Sequence, residues 1–184
     1  MTVRVAPIIE PINAEQRAQV LDKTQATLAL AEQEYGRPFA AIPVLFDLRG
    51  RCSGMYRVRG RERVIRYNPH IFAKYFADNL ATTVPHEVAH YVSDCLYGLA
   101  KIRPHGDEWR QIMQAFKADA SRTADYDLSG IPSRRQRYFD YRCVCQSHRL
   151  SSRRHNKVLR REASYNCRQC GETLSFVAAC QVSA

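Results

Sequence analysis

Nothing in the 184-residue sequence approaches the apolar run of roughly 20 residues that crosses a bilayer. The first residues, MTVRVAPIIEPINAEQ, hold only a short apolar stretch, interrupted by Pro7 and ended by Glu10. Neither a signal peptide nor an anchor is expected, and the cytoplasm is the expected compartment. Glycine and proline are sparse, eight of each, and no internal repeat or low-complexity tract occurs, which excludes solenoid and linker-dominated organisations. Acidic charge is also short, 18 Asp and Glu against 28 Lys and Arg. What remains is an ordinary globular balance, 45% hydrophobic and 25% charged, enough for one main domain and a small appendage.

The excess positive charge is unevenly placed. Residues 131–184 carry eleven basic side chains against Asp140, Glu162 and Glu172, a net +8, whereas residues 1–130 carry only +2. Such asymmetry points the C-terminal part toward a polyanion, nucleic acid first. Seven cysteines without a secretion signal suggest metal binding in a reducing compartment more than disulfides.

Hydrophobic spacing predicts an α+β architecture. A first helix begins at Asn13, with Gln16 completing a capping box and Val20, Leu21, Thr24, Leu28, Ala31 and Tyr35 on one face, and it ends at Gly36 and Pro38. Strands are expected at 43–48, 54–59 and 62–68, the last two as a hairpin in a small, mostly antiparallel sheet. The adjacent Val64 and Ile65 suggest an irregularity there. Asn68 and Pro69 start a further helix. Another runs over 82–98, with Thr82 or Thr83 as cap, and one over 107–120, whose Trp109, Ile112, Met113 and Phe116 recur at core spacing. A polar linker from about 121 leads to a cysteine-bearing module.

PHEVAHYVSDCLYG contains His86, Glu87 and His90. On a helix, positions i and i+4 share one face, so both imidazoles can reach one ion while Glu87 reaches a water beside it. Val84, Val88, Ala89, Tyr91, Val92 and Leu96 make this helix apolar, and polar groups buried there need partners that a metal supplies. A third ligand must follow. His105, in RPHGDEW, is favoured because Gly106 allows close backbone approach, and Glu108 is its competitor. The extended spacing HExxHxxGxxH is absent.

YNCRQCGETL places Cys167 and Cys170 in a CxxC followed by Gly171, the form of a zinc knuckle. YRCVCQSH offers its partner pair, either Cys143 with Cys145 or Cys145 with His148. Between the pairs lie Arg149, Arg153, Arg154, Lys157, Arg160 and Arg161. In a ribbon this stretch is expected as a basic hairpin meeting phosphates, with Tyr141, Tyr165 or His155 available to stack on unpaired bases. Cys52, Cys95 and Cys180 have no ligand set nearby and read as incidental thiols.

Together PHEVAHYVSDCLYG, RPHGDEWRQIM and the cysteine module resemble the bacterial SprT family, related to Spartan-type proteases that degrade proteins crosslinked to DNA. The resemblance covers about residues 10–178. It implies a zincin-like metalloprotease domain at 10–125 and a nucleic-acid-binding zinc ribbon at 138–178. It further implies a catalytic zinc on His86, His90 and His105 with Glu87 as general base, and a structural zinc on Cys143, Cys145, Cys167 and Cys170. The expected partners are DNA, including single-stranded regions, and proteins bound to it. The place of work implied is the bacterial cytoplasm, at the nucleoid. A competing expectation is a non-catalytic two-zinc adaptor for nucleic acid or a transcription complex.

Overall fold

The computed structural model describes residues 7–120, 125–132 and 137–177, in two compact units, 1–133 and 134–184. The protein is α+β. Cys180 and parts of the expected linker lie outside the described residues. No helix among the described residues is long and apolar enough to cross a membrane.

The first unit opens with α1 (Ala14–Tyr35). Asn13 accepts from Gln16 N at 2.8 Å, and the Gln16 side chain accepts from Asn13 N at 3.0 Å, so the expected capping box is present. Gly36, at φ 58°, supplies the left-handed residue that ends the helix. Val20, Thr24, Leu28 and Ala31 are buried as expected. Leu21 is 41% exposed, off the packed stripe.

The sheet comprises β1 (Val44–Leu45), β2 (Gly54–Arg59) and β3 (Glu62–Tyr67), in the order β1-β3-β2. β2 and β3 form the expected hairpin, and β1 joins β3 in parallel. The strand expected at 43–48 shrinks to two residues. At Val64 and Ile65 the ladder continues unbroken from Gly54↔Tyr67 to Arg59↔Glu62. Both residues are buried, at 2% and 0% exposure, because the central strand is covered on both faces, so the expected irregularity is absent.

Three helices follow, α2 (Pro69–Lys74), α3 (Phe76–Ala81) and α4 (Thr83–Tyr97). Asn68 caps α2 by accepting from His70 N and Ile71 N. Neither Thr82 nor Thr83 caps α4, contrary to expectation. The chain enters it from α3 with helical geometry, and Thr82 N and His86 N already donate to Asp78 O and Thr82 O. Thr82 Oγ1 turns back to Asp78 O, and Thr83 Oγ1 to Asn79 Oδ1. The last helix among the described residues of the unit, α5 (Asp107–Ala115), stops short of the expected 120. Lys117 at φ 53° and the bond from Ala118 N to Met113 O close it as a Schellman turn.

Residues 125–132, expected as linker, belong to this unit. Tyr126 stacks on Tyr75 with centroids 4.3 Å apart, and Lys74 Nζ donates to Asp127 Oδ2 and Ser129 O, each at 2.9 Å. Ile131 is 8% exposed. A single core joins α1, α4, α5 and the sheet, including Val20, Leu28, Ile65, Val88, Val92 and Ile112.

The second unit contains β4 (Tyr138–Arg142), β5 (Ser147–Ser151), α6 (Ser152–Leu159) and β6 (Ser175–Phe176), with sheet order β5-β4-β6. The stretch expected as a basic hairpin is therefore mostly helix. It contains no glycine or proline to turn on, whereas His155 and Val158, three apart, give one inward helical face. The hairpin turn lies instead at the first cysteine pair, between β4 and β5. Its core is small, consisting of Tyr141, Leu150, Cys167 and Leu174 with a few partly buried neighbours.

Candidate metal centres

In the first unit, α4 presents His86 and His90 one turn apart. Gly98, at φ 78°, starts the loop that returns His105 to them. His105 itself takes φ 57°, a left-handed conformation that costs about 1–3 kcal/mol in a non-glycine residue and marks functional positions. The next residue must be small, because a Cβ on Gly106 would sit 2.9 Å from Arg103 O and 3.2 Å from Glu108 Oε2.

The outcome is a near-equilateral triangle of nitrogens. His86, His90 and His105 bring their Nε2 atoms to 3.2, 3.1 and 3.0 Å from one another. Tetrahedral zinc at about 2.0–2.1 Å from imidazole nitrogens needs them about 3.3 Å apart, so the donor set fits. Burial, then the neighbouring rings, lowers the pKa of His90 to about 3 and of His86 to about 4. Neutral imidazoles are the form a metal requires. Three neutral rings meeting at one point cannot all pair their lone pairs with N–H groups, and a cation there removes the conflict. Glu108 is not a member of this group.

Two neighbours of the triangle were not expected as site residues. Trp109 is 1% exposed, the core residue its spacing predicts. Its ring also packs against all three histidines, with centroids 4.8, 5.7 and 4.7 Å from His86, His90 and His105. Its indole N–H donates to His86 O at 3.4 Å. Tyr56 N, on β2, donates to Glu87 Oε2 at 2.6 Å.

Glu87 is 6% exposed, and burial pushes its pKa up to about 7, the Tyr56 N–H partly opposing. A carboxyl whose folded pKa is raised is stabilised while neutral, and that contribution is lost as pH rises through the folded value. In protein stripped of metal by chelation, charging Glu87 at pH 8 costs on the order of 3 kcal/mol. Glu87→Gln, whose amide oxygen still accepts from Tyr56 N, is expected to melt about 5–10 °C higher than the stripped parent at pH 8. At pH 4, below the ordinary glutamate value of 4.5, the difference should nearly vanish. The fluorescence of Trp109, the single tryptophan, reports this unit's melting.

In the second unit, Cys143, Cys145, Cys167 and Cys170 converge, their sulfurs all within 4.8 Å of one another. Cys143 and Cys145 Sγ are 3.3 Å apart, and Cys145 and Cys167 Sγ 3.6 Å. About 3.8 Å is the spread of four thiolates at about 2.3 Å from tetrahedral zinc, so this set also fits. The Cys170 backbone, then the Gln146 amide, holds the Cys167 thiol down to about 5, toward the thiolate that binds metal. His148 lies outside the four-sulfur group, with Nε2 3.3 Å from Cys143 Sγ. Cys52 and Cys95 join neither cluster.

The basic residues separate. Arg149, Arg153, Arg154 and Lys157 line one groove of about 490 Å³ with Tyr138, Ser151 and Tyr165. Arg149 lies over the Tyr138 ring at 4.8 Å, and Arg154 over Tyr165 at 5.5 Å. Arg160, paired with Glu162 at 2.8 Å, and Arg161 are exposed but do not line it. Two of the expected stacking residues are unavailable. Tyr141 is 0% and His155 5% exposed, with Tyr141 Oη 3.0 Å from His155 Nδ1 and Phe139 stacked on the imidazole. Tyr138, 48% exposed, is the aromatic not anticipated. Strand alternation with Tyr141 turned inward was the signal for it.

An α+β unit with a three-histidine cluster, joined to a four-cysteine ribbon, defines the class of the protein. Residues 24–129 match the SprT-like family and residues 134–178 the SprT-like zinc ribbon domain. The chain is 40% identical over 151 residues to Protein SprT of Yersinia pestis, covering 82% of this chain and 85% of that one. Protein SprT of Vibrio parahaemolyticus is 37% identical over 150 residues (81% and 87%), and that of Vibrio atlanticus 35% over 162 (88% and 93%). The chain belongs to the SprT-like family. No solved structure matches it significantly.

Proposed function

We propose that the protein is a zinc-dependent metallopeptidase with a zincin-like core, acting on proteins associated with DNA. The observation that carries this reading is the convergence of three imidazole nitrogens within 3.2 Å, two of them from α4, where the residue after His86 is a buried glutamate. His86, His90 and His105 would hold one zinc, and Cys143, Cys145, Cys167 and Cys170 a second, structural one. At the histidines, zinc supplies the positive charge that acidifies water and polarises a carbonyl. Glu87 takes the proton of the attacking water on a carboxylate oxygen. It delivers that proton to the amine nitrogen as the peptide C–N bond breaks. Trp109 backs the imidazole rings, fixing their planes and keeping water from behind them.

The groove of the second unit supports the nucleic-acid half of the proposal. Arg149, Arg153, Arg154 and Lys157 would neutralise phosphates, with Arg160 and Arg161 adding charge at its flank. Tyr138 and Tyr165 would offer rings to unpaired bases. Substituting Arg153, Arg154 and Lys157 together by alanine is expected to weaken single-stranded DNA binding. It should reduce the slope of log affinity against log salt by about 2, three contacts at about 0.7 each. Fluorescence anisotropy across a salt series measures it, and an unchanged slope removes these residues from the interface.

The experiment for the whole reading is cleavage of a DNA-binding protein by the zinc-loaded chain, with and without single-stranded DNA. Cleavage stimulated by DNA in the parent, and unstimulated in the triple variant, is expected. DNA binding without hydrolysis of any protein would favour the adaptor.

A further inference from the structure

Glu87 is held from outside its own helix. The Tyr56 N–H that donates to Glu87 Oε2 at 2.6 Å is not spent on β3, so at Tyr56 the backbone of β2 faces out of the ladder. The Tyr56 hydroxyl meanwhile donates to Asp94 Oδ2 at 2.7 Å, and Arg63 Nε, from β3, reaches the same oxygen at 2.6 Å. Glu87 and Asp94 are seven residues apart on α4, two turns along one face. One strand residue therefore grips this helix twice, at Glu87 through its backbone and at Asp94 through its side chain.

Two residues earlier, Gly54 has no room for a side chain. A Cβ there would lie 2.7 Å from Glu87 Cγ and Oε1 and 2.8 Å from Thr83 Cγ2. Gly54 is not among the residues of positive φ, so what it provides is close approach. Thr83 has little freedom to withdraw, since its hydroxyl donates to buried Asn79 at 2.7 Å.

We propose that β2 is the positioning element for the Glu87 carboxylate: Tyr56 fixes one oxygen, Gly54 leaves space for the other, and Asp94 with Arg63 fixes Tyr56. This rests on the reading of Glu87 as the proton-transfer group. Displacing such a group by about 1 Å can cost about 10²-fold in rate.

The test uses the full zinc-loaded chain. Gly54→Ala is expected to lower kcat about 10²-fold with KM and zinc content unchanged, the signature of lost transition-state geometry. Asp94→Ala is expected to lower kcat about tenfold, and adding Tyr56→Phe should lower it little further, since the two act through one contact. Asp94→Asn, whose amide oxygen still accepts from the Tyr56 hydroxyl, should recover most of the loss. The Tyr56 amide proton, shifted downfield by its short bond to a carboxylate, should move upfield in Gly54→Ala and in Glu87→Ala.

A folded Gly54→Ala with parental kcat and an unmoved Tyr56 amide overturns the proposal. So does equal activity of Asp94→Ala and Asp94→Asn, a comparison that stands even where Gly54→Ala does not fold. If instead Glu87→Gln hydrolyses as fast as the parent, the catalytic reading of Glu87 fails, while the amide shifts still report whether the clamp exists.

Discussion

Replacing His105 by alanine is expected to lower the zinc affinity of the first unit by more than about 100-fold, beyond the 10–100-fold typical of losing a supporting partner. Peptide hydrolysis should fall with it. His86 and His90 are placed by the pitch of α4, so they converge whatever the rest of the chain does. His105 is placed by a loop that holds a left-handed residue and needs glycine next to it, and its Nε2 closes the triangle at 3.0 and 3.1 Å. Two imidazoles alone leave zinc with only half of its usual four positions filled by the protein. Glu108→Ala is the matched comparison. Its carboxylate is not in the cluster, and its loss is expected to change zinc affinity by less than the lower end of that supporting range, about tenfold. Competition titration against a chelator measures both. Equal losses in the two variants would remove His105 from its assigned position.

Cys167→Ala is expected to unfold the second unit while leaving the first intact. Cys167 is 2% exposed and sits at once in the small core and in the sulfur cluster. Gln146 Nε2 and Gln169 N both donate to its sulfur at 3.4 Å. A single core in a module this small seldom supplies more than about 3–5 kcal/mol, whereas structural zinc contributes about 10–16 kcal/mol in zinc-finger peptides. Without Cys167 that term is largely lost and Tyr141, Leu150 and Leu174 cannot hold the sheet. Zinc should drop from two per chain to one, the dispersed amide resonances of residues 137–177 should collapse, and DNA affinity should be lost. Melting followed at Trp109 should not change. A folded ribbon that still holds its zinc would mean that His148, with Nε2 3.3 Å from Cys143 Sγ, takes the place of Cys167 among the ligands.

What could be read from the sequence was whatever depends on near neighbours. The capping box of Asn13 and Gln16, the shared face of His86 and His90 and the CxxC of Cys167 and Cys170 are all set by spacings of three or four residues. His105 needed only the inference that Gly106 marks a close approach. The clamp on Glu87 was invisible because its donor is a backbone N–H thirty-one residues away, and every residue type has one. Trp109 was recognised as core from its helical stripe, but a stripe gives no hint that three imidazoles lie on the ring. The ribbon misled for a different reason. Its dense arginines drew Tyr141 and His155 toward the solvent face, while the stacking of Phe139 on His155 and the contact between Tyr141 and His155 draw both inward. Alternation along β4 then leaves Tyr138 outward, beside Arg149.

The most direct measurement is the time course of cleavage of a protein bound to single-stranded DNA, by the parent and by Glu87→Gln at equal zinc content. Gln keeps the size of the side chain and the bond from Tyr56, and removes only the capacity to accept a proton. Loss of a positioned general base costs about 10²–10⁴-fold, so the variant is predicted to retain both zincs and DNA binding while its cleavage rate falls by that factor. Equal rates for the two proteins would contradict the account.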